Sequence, residues 1–424
     1  MSFALPSYDE AAALVAACAA KLRGFPPLVE RVGLGLAPGR VLAQPLLADR
    51  DQPPFTRSTR DGFACRAAEA SAHGRLRIVG AARAGDVPGG PLPPGAAWEI
   101  MTGAPVPQGA DAVMMLEHVE AAKGQVKLLK PRSLAPGENL VAQGAQARAG
   151  DVLLAAGTAL KPGQIALAAA CGSASLEVFV RPRVAILTTG DELVPVESSP
   201  APGQIRNSNG PMLAAMVAEA GGEPWVLPTA ADNAEALDRA LEEAAEADLL
   251  LITGGVSAGK FDLVEPALAR RDARFHFTGV RIQPGKPLVF GELPVRNARD
   301  LQDENGTKYF FGLPGNPVSS AVTFLLFVAP VLAALAGSVE AGPRFALARL
   351  APAADRHGKA GLTRFLPAHC TFGATDGDLP QVSFVSWHGS GDLSALAHAN
   401  CFLVVPEEAH RLDPGAFVRI LLLP

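Results

Sequence analysis

The sequence predicts a multidomain α/β plus β protein. Its central part is a doubly wound, mainly parallel α/β sheet domain, joined to a linker domain, a β-rich domain and a C-terminal β-barrel-like domain. Three observations carry this prediction. Leu249 to Ile252 is a continuous apolar run that ends in Thr253-Gly254-Gly255, as a strand buried on both faces would before a tight turn. Apolar strand-like runs alternate with helical patterns from about 181 to 336, the signature of βαβ units. On either side, short runs between Gly/Pro clusters read as β structure.

In chain order, Ser7-Tyr8-Asp9-Glu10 fits a capping box opening a helix over 8–23, and Leu28 to Leu47 suggests a strand within a linker segment. Asp51 to Ala64 is a polar, turn-forming loop. Strands are expected at Leu76–Val79, Trp98–Met101, Ala112–Leu116 and Val126–Leu129, making a β-rich domain over 49–143. Residues 144–180 return to the linker character of 1–48, with a helix from Gln164 to Ala170 and a strand from Leu176 to Val180. In the sheet domain, strands are expected at Val184–Leu187, Leu249–Ile252, Val280–Ile282, Leu288–Phe290 and Tyr309–Phe311. Helices are expected at Pro211–Ala220, stopped by Gly221, at Ala234–Ala247, capped by Asp232 or Asn233, at Val264–Arg270, and after Asn316. Residues 337–424, with runs at Val382–Trp387, Cys401–Val405 and Val418–Leu423, read as a small all-β domain.

Composition narrows the function classes. The chain has 424 residues, 19% charged, and a net charge of −5, which lacks the basic footprint of a nucleic-acid binder. Five scattered cysteines without a CxxC pair argue against a disulfide framework or a structural zinc motif and for reduced thiols in the cytoplasm. The Ala-rich stretch from Ala11 to Ala20 follows Asp9 and Glu10 and has no basic n-region, so a signal peptide is not expected. Val318 to Ala336 is long and apolar enough to span a bilayer, but Ser319, Ser320, Thr323 and Pro330 favour a buried core helix.

Four loops can carry chemistry. Thr188-Thr189-Gly190-Asp191-Glu192 sets two carboxylates behind a glycine, suited to Mg²⁺ or to acid–base work; a plain cap or surface turn would look the same. Gly254 to Lys260 satisfies GxxxxGK, yet Phe261 stands where a phosphate-binding loop needs Ser or Thr, with Asp262 one place on. An anion nest of amides around Gly254, Gly255 and Ser257 remains. Gly312-Leu313-Pro314-Gly315-Asn316-Pro317 offers Asn316 as N-cap and a helix N-terminus with free amides. Gln283-Pro284-Gly285-Lys286-Pro287 mounts a lysine between prolines as a point charge for phosphate, or as a solvated hairpin lysine. Together they suit a phosphorylated ligand with a divalent metal.

The ordered set of motifs resembles the molybdopterin molybdenumtransferases, the MoeA and gephyrin E-domain family. The matching stretches are Thr189-Gly190-Asp191-Glu192-Leu193, Asn207-Ser208-Asn209, Thr253 to Ser257 through Asp262, Pro284-Gly285-Lys286-Pro287, and Gly312 to Ser319. Asp61-Gly62-Phe63-Ala64, Thr102-Gly103-Ala104-Pro105, Gly109 to Val113, Gly137-Glu138-Asn139, Gly389-Ser390-Gly391 and Ala399-Asn400-Cys401 extend the likeness over nearly the whole chain.

The resemblance implies a MogA-like sheet domain over 181–336, dimerisation through the linker domain (1–48 and 144–180), and a cytoplasmic homodimer. Its active site would lie between the sheet domain of one subunit and the Asp61-bearing domain of the other. It implies Mg²⁺-dependent insertion of molybdate into adenylylated molybdopterin with release of AMP. Asp61, Thr102, Glu192, Asp262 and Lys286 would be catalytic, and Asp191, Glu192 and Asp262 would hold Mg²⁺. Thr189, Gly190, Asn207, Gly254, Gly255, Ser257, Gly285, Gly312, Pro314, Gly315, Asn316, Pro317, Ser319 and Ser390 would bind substrate. A molybdopterin adenylyltransferase and downstream molybdoenzymes are the implied partners, with no nucleic acid and no membrane.

The sequence departs from the family pattern at Arg60, Phe63, Val141, Ala145-Gln146, Gln283, Leu362 and Pro367, where cations, a carboxylate pair or other side chains are usual. Those departures leave open a catalytically impaired paralogue that acts as a molybdopterin-binding or scaffold protein. A P-loop-type nucleotide hydrolase is the third reading, opposed by Phe261.

Overall fold

The structure is a computed structural model that describes residues 5–25, 27–87, 89–130, 132–255, 263–294, 307–340, 342–351, 361–371, 379–409 and 412–423. The chain divides into two compact units. One comprises 1–43, 157–160 and 177–424, the other 44–156 and 161–176.

Helix α1 (Tyr8–Leu22) opens on the predicted capping box: Ser7 and Glu10 exchange backbone-to-side-chain bonds at 2.7 and 3.2 Å. Its apolar stripe, Ala11, Val15, Cys18, Ala19 and Leu22, is buried.

The second unit holds a six-stranded sheet of β1 (Gly62–Cys65), β2 (Leu76–Ala82), β3 (Ala96–Ile100), β4 (Ala112–Met115), β5 (Val119–Ala122) and β6 (Gln125–Leu128), in the order β4-β1-β3-β2-β6-β5. Helix α2 (Ala67–His73) follows β1, and α3 (Pro162–Ala170) lies in the same unit. The strand β1 was not expected from sequence. Gly62 makes it possible, because a Cβ there would meet the Met114 carbonyl oxygen at 1.9 Å across the β1–β4 pairing.

The first unit is built on β7 (Arg183–Thr188), α4 (Asn209–Glu219), β8 (Glu223–Val226), α5 (Ala234–Glu243), β9 (Leu249–Thr253), α6 (Val264–Ala269), β10 (Arg274–Phe277), β11 (Val289–Pro294) and β12 (Thr307–Leu313). The sheet order is β8-β7-β9-β12-β11-β10; the first four strands are parallel, while β11 and β10 pair antiparallel. The mainly parallel, doubly wound sheet is therefore as expected. Residues of one strand alternate between two cores. Val184, Ile186, Leu249 and Leu251 face α1, α4 and the 317–335 helix, whereas Ala185, Leu187, Leu250 and Ile252 face α5 and α6.

One expectation here is corrected and one is met with added detail. Val280–Ile282 is not a sheet strand; only Ile282–Gln283 pairs, and with a strand of the C-terminal domain. The sheet's outer strand is β10 instead. The long helix after Asn316 is one continuous rod: α7 (Pro317–Thr323), a wider π-type turn over Phe324–Val328, and α8 (Ala329–Leu335). Pro330 falls in the first turn of α8, where the wider turn absorbs its missing N–H. Pro317–Leu335 is long and apolar enough to cross a membrane, and 89% of its apolar window is buried inside the fold, as expected of a core helix.

The C-terminal strands are β13 (Phe345–Leu350), β14 (Thr363–Thr371), β15 (Gln381–Phe384), β16 (Cys401–Val405) and β17 (Phe417–Leu422), with α9 (Leu393–His398) before β16. Pairing runs β14-β15-β13-β17-β16 and returns from β16 to β14, which closes a barrel around Leu366, Val382, Leu403 and Ile420.

Candidate functional site at the strand ends

The three central parallel strands end level with one another. Thr188 pairs with Thr253, and Thr253 with Leu313. The segments that leave these ends are the loops singled out in the sequence, and they surround a cleft of about 870 Å³. Thr189, Gly190, Glu192, Asn207, Gly254, Gly255, Pro314, Gly315, Asn316 and Pro317 all line it. A crevice beyond the carboxyl ends of the strands is where open α/β sheets bind ligands.

The floor is a buried polar network. Asn209, at the first turn of α4, donates through Nδ2 to Thr253 Oγ1 at 3.0 Å and to the Gly315 carbonyl at 2.7 Å. Thr253 Oγ1 donates to the Pro314 carbonyl at 3.1 Å, and the Ser320 hydroxyl donates to the same oxygen. Asn207 Nδ2 donates to Thr188 Oγ1 at 3.0 Å, while its Oδ1 accepts the Gly210 amide at 3.0 Å. Two oxygens stay unmatched among the described residues, Thr189 Oγ1 and Asn209 Oδ1, on side chains 5% and 9% exposed. Each such atom costs about 1–3 kcal/mol when buried without a partner, and both belong to residues that line the cleft. Gly254 sits at φ +95°, and a Cβ on it would meet the Thr189 carbonyl oxygen at 2.3 Å. The chain can pass this close only without a side chain.

Carboxylates gather at the mouth. The Thr189–Ala230 bridge brings the loop before α5 alongside Gly190-Asp191-Glu192. The Asp232 amide donates to Asp191 Oδ1 at 3.0 Å, and the Asp191 amide to Asp232 Oδ2 at 3.4 Å. Desolvation raises the Asp232 carboxyl above its ordinary range; the Asp191 amide offsets part of this, and the Asp191 and Glu192 charges add to it. Carboxylate oxygens are hard donors of the kind that bind Mg²⁺. Sequence reading treated Asp232 only as a possible helix cap, but the cap of α5 is Asn233, whose Oδ1 accepts the Ala236 amide at 2.9 Å. Cleft residues passed over include Asp232, Asn209, Thr253 and Arg206, the last holding its guanidinium by an Nε bond to the Ser198 carbonyl at 3.0 Å. The Asn-Ser-Asn triplet was a signal for Asn209, whereas only the strand pairing reveals Asp232.

The other expected residues fall as follows. Ser257 and Asp262 lie outside the described residues. Lys286 is exposed and precedes Pro287, a cleft residue, with Gly285 buried before it. Gly312 belongs to β12, and Ser319 is buried inside α7, its carbonyl accepting the Thr323 hydroxyl at 2.8 Å. Asn316 is the N-cap of α7 by position, but its side chain makes no capping bond; its Nδ2 donates to Ser390 Oγ at 2.9 Å. That link brings the Gly389-Ser390-Gly391 loop to the cleft. In the second unit, Asp61 and Thr102 meet: Asp61 Oδ1 accepts the Thr102 amide at 2.6 Å and its hydroxyl at 2.7 Å. These bonds, the amide first, hold the Asp61 carboxyl below its usual range.

Comparison with known proteins supplies the family. Residues 6–172 match the MoeA N-terminal region (domains I and II), 185–334 a probable molybdopterin-binding domain, and 349–423 the MoeA C-terminal region (domain IV). A molybdopterin molybdenumtransferase of Nostoc sp. is 35% identical over 93% of this chain and 89% of its own length; one of Bacillus subtilis is 35% identical over 91% and 87%. The crystal structure of a molybdopterin biosynthesis MoeA protein from Pyrococcus horikoshii superposes with a TM-score of 0.77 at 30% identity, covering 99% of this chain and 100% of that one. The ends of the sheet strands and these matches agree: the chain belongs to the MoeA family of molybdopterin molybdenumtransferases.

Proposed function

We propose that this chain acts in molybdenum cofactor biosynthesis, in the cytoplasm, inserting molybdenum from molybdate into adenylylated molybdopterin with release of AMP. The observation that carries this reading is the cleft at the strand ends, with two unmatched buried oxygens on its floor and carboxylates at its mouth. Asn209 Oδ1 is an acceptor, suited to an N–H of a pterin ring, and Thr189 Oγ1 can donate or accept. Amides at Gly254 and Gly255 suit phosphate oxygens, and Lys286 suits them as a point charge.

Hydrolysis splits the P–O–P link with one water, leaving phosphate on the pterin and AMP. The two dithiolene thiols then take the place of one molybdate oxygen, which leaves with their protons as water. Asp191, Glu192 and Asp232, with Asp262, would hold Mg²⁺, which when bound supplies positive charge beside the pyrophosphate. Glu192, exposed on its loop, would serve this step through the metal it helps to hold. The same reading takes the protein as a homodimer in which the partner subunit's Asp61 and the partner subunit's Thr102 complete the site, supplied with substrate by a molybdopterin adenylyltransferase and serving molybdoenzymes.

The test is AMP release and molybdenum insertion by the purified chain, with adenylylated molybdopterin, Mg²⁺ and molybdate. Both are expected, and Asp262→Ala should abolish AMP release. Undiminished release by that variant would overturn the metal assignment. AMP release without molybdenum insertion would point to the departures at Gln283, Leu362 and Pro367, and the absence of both activities would assign the chain a binding or scaffold role instead.

A further inference from the structure

A second cluster of ligating groups lies away from the cleft, between α1 and the antiparallel edge of the sheet. Cys18 is on the buried stripe of α1, His276 on β10 and Glu292 on β11. Their sulfur, imidazole and carboxylate atoms lie within 4.8 Å of one another. His276 Nε2 stands 4.0 Å from Cys18 Sγ and 2.7 Å from Glu292 Oε1. The β10–β11 register slips between Phe275 and Phe277, so His276 is the extra residue of a bulge. This turns His276 and Phe277 toward α1, while Phe275 packs on the opposite face. The imidazole lies against the rings of Phe290 and Tyr309, with centroids 5.0 and 6.4 Å away. The His276 and Glu292 side chains are 11% and 14% exposed, so solvent reaches this otherwise apolar wall.

We propose that Cys18, His276 and Glu292 form a binding site for a borderline-soft divalent cation of the zinc type, tying α1 to the edge strands. A His–Glu pair would account for two of these groups but not for a thiol at the outer limit of a sulfur hydrogen bond. One sulfur, one nitrogen and one oxygen are the donor set of a three-ligand zinc centre with water as fourth ligand. With zinc distances of about 2.3 Å to sulfur and about 2.1 Å to nitrogen and oxygen, tetrahedral angles put sulfur and nitrogen about 3.6 Å apart and nitrogen and oxygen about 3.4 Å apart. The observed sulfur–nitrogen spacing is about 0.4 Å longer and the nitrogen–oxygen spacing about 0.7 Å shorter than these, within the reach of side-chain rotation. On binding, the Cys18 S–H bond breaks, its proton leaves to solvent and a metal–sulfur bond forms. The imidazole ligates through Nε2 and keeps its proton on Nδ1. Without metal, burial pushes the Cys18 thiol up and keeps it neutral, with the Tyr309 hydroxyl acting in the opposite direction. The hard carboxylates at the cleft mouth favour Mg²⁺ and lack sulfur and nitrogen, so the two sites select different ions.

The test uses the full chain, stripped with chelator and titrated without oxygen with Co²⁺ as a spectroscopic probe, then competed with Zn²⁺. One equivalent should bind with a thiolate-to-metal charge-transfer band that excess Mg²⁺ leaves unchanged. Cys18→Ser should remove the band. His276→Gln and Glu292→Gln should weaken binding at least roughly tenfold, a loss that outer partners alone already cause. Absence of the band, or its survival in Cys18→Ser, would overturn the proposal. Should Cys18→Ser not fold, the wild-type protein decides: one equivalent of Zn²⁺ must release the proton of the buried thiol, and binding without proton release refutes the site. None of these readouts uses AMP release, so failure here leaves the proposed transferase reaction untouched.

Discussion

Val184–Leu187 and Leu249–Ile252 are almost wholly buried, and so are the residues that continue the same strands, Thr188, Thr189 and Thr253, none more than 5% exposed. The two regions differ in what is buried. The strand interiors bury hydrocarbon against two cores, each large side chain contributing about 1.5–3 kcal/mol. The strand ends bury hydroxyls and an amide that bond one another and leave two oxygens unmatched. Depth of burial therefore does not separate structure from function here. The chemistry of the buried atoms does, and the change comes within one residue of each strand.

Substitutions on the two sides of that boundary should behave differently. Leu251→Ala, at a fully buried position between helices, should cost about 4 kcal/mol of stability while leaving AMP release by the folded fraction unchanged. Urea unfolding and a rate measured well below the melting temperature check both halves. Gly254→Ala should cost about 3 kcal/mol, from a side chain in the left-handed region pressed on the Thr189 carbonyl, and should also abolish AMP release. A Gly254→Ala protein with normal turnover would erase the distinction drawn here. Asn316→Ala removes an exposed bond to Ser390 and should cost about 1 kcal/mol or less, with a measurable rise in KM, since it releases the Ser390 loop from the cleft.

The smallest effect concerns Asp232, and its sign is the informative part. A carboxyl whose folded pKa is raised contributes stability fully below its unfolded pKa and loses it as pH rises through the folded value. In metal-free protein Asp232→Asn should therefore melt higher than wild type at neutral pH. The gap should close as pH falls below the ordinary carboxylate range. Melting curves against pH without Mg²⁺ measure it, and a variant less stable at neutral pH would contradict the crowding of charge at the mouth.

Much of the sheet domain was legible because its signals are local. Leu249–Ile252 is apolar at every position, which fits a strand between two helical layers, and the glycine pair announces the turn. The closing of the cleft by Gly190 and Pro314 was legible for a similar reason, since each loop follows a readable strand, whereas Asn207 entered only through the family resemblance. What stayed hidden depends on pairing between distant segments. Asp232 reaches Asp191 only through the Thr189–Ala230 bridge, 41 residues apart. β10 was missed because Arg274–Phe277 is only four residues long, although its polar and apolar residues alternate. Val280–Ile282 looked like a strand of this sheet, yet the pairing there is of Ile282–Gln283 with Thr363–Arg364 in the barrel. Gly62–Cys65 is four residues long and follows a polar loop, so nothing local distinguished it from a turn.

The account rests on the floor of the cleft, and Asn209 is its centre: Nδ2 braces Thr253 and Gly315 while Oδ1 waits for a donor. The most direct measurement is the calorimetric affinity of Asn209→Ala for adenylylated molybdopterin with Mg²⁺, its fold verified by circular dichroism. The loss of these contacts should weaken binding roughly tenfold or more, about 1.4 kcal/mol. A folded variant that binds as tightly as wild type would show that the ligand is held elsewhere.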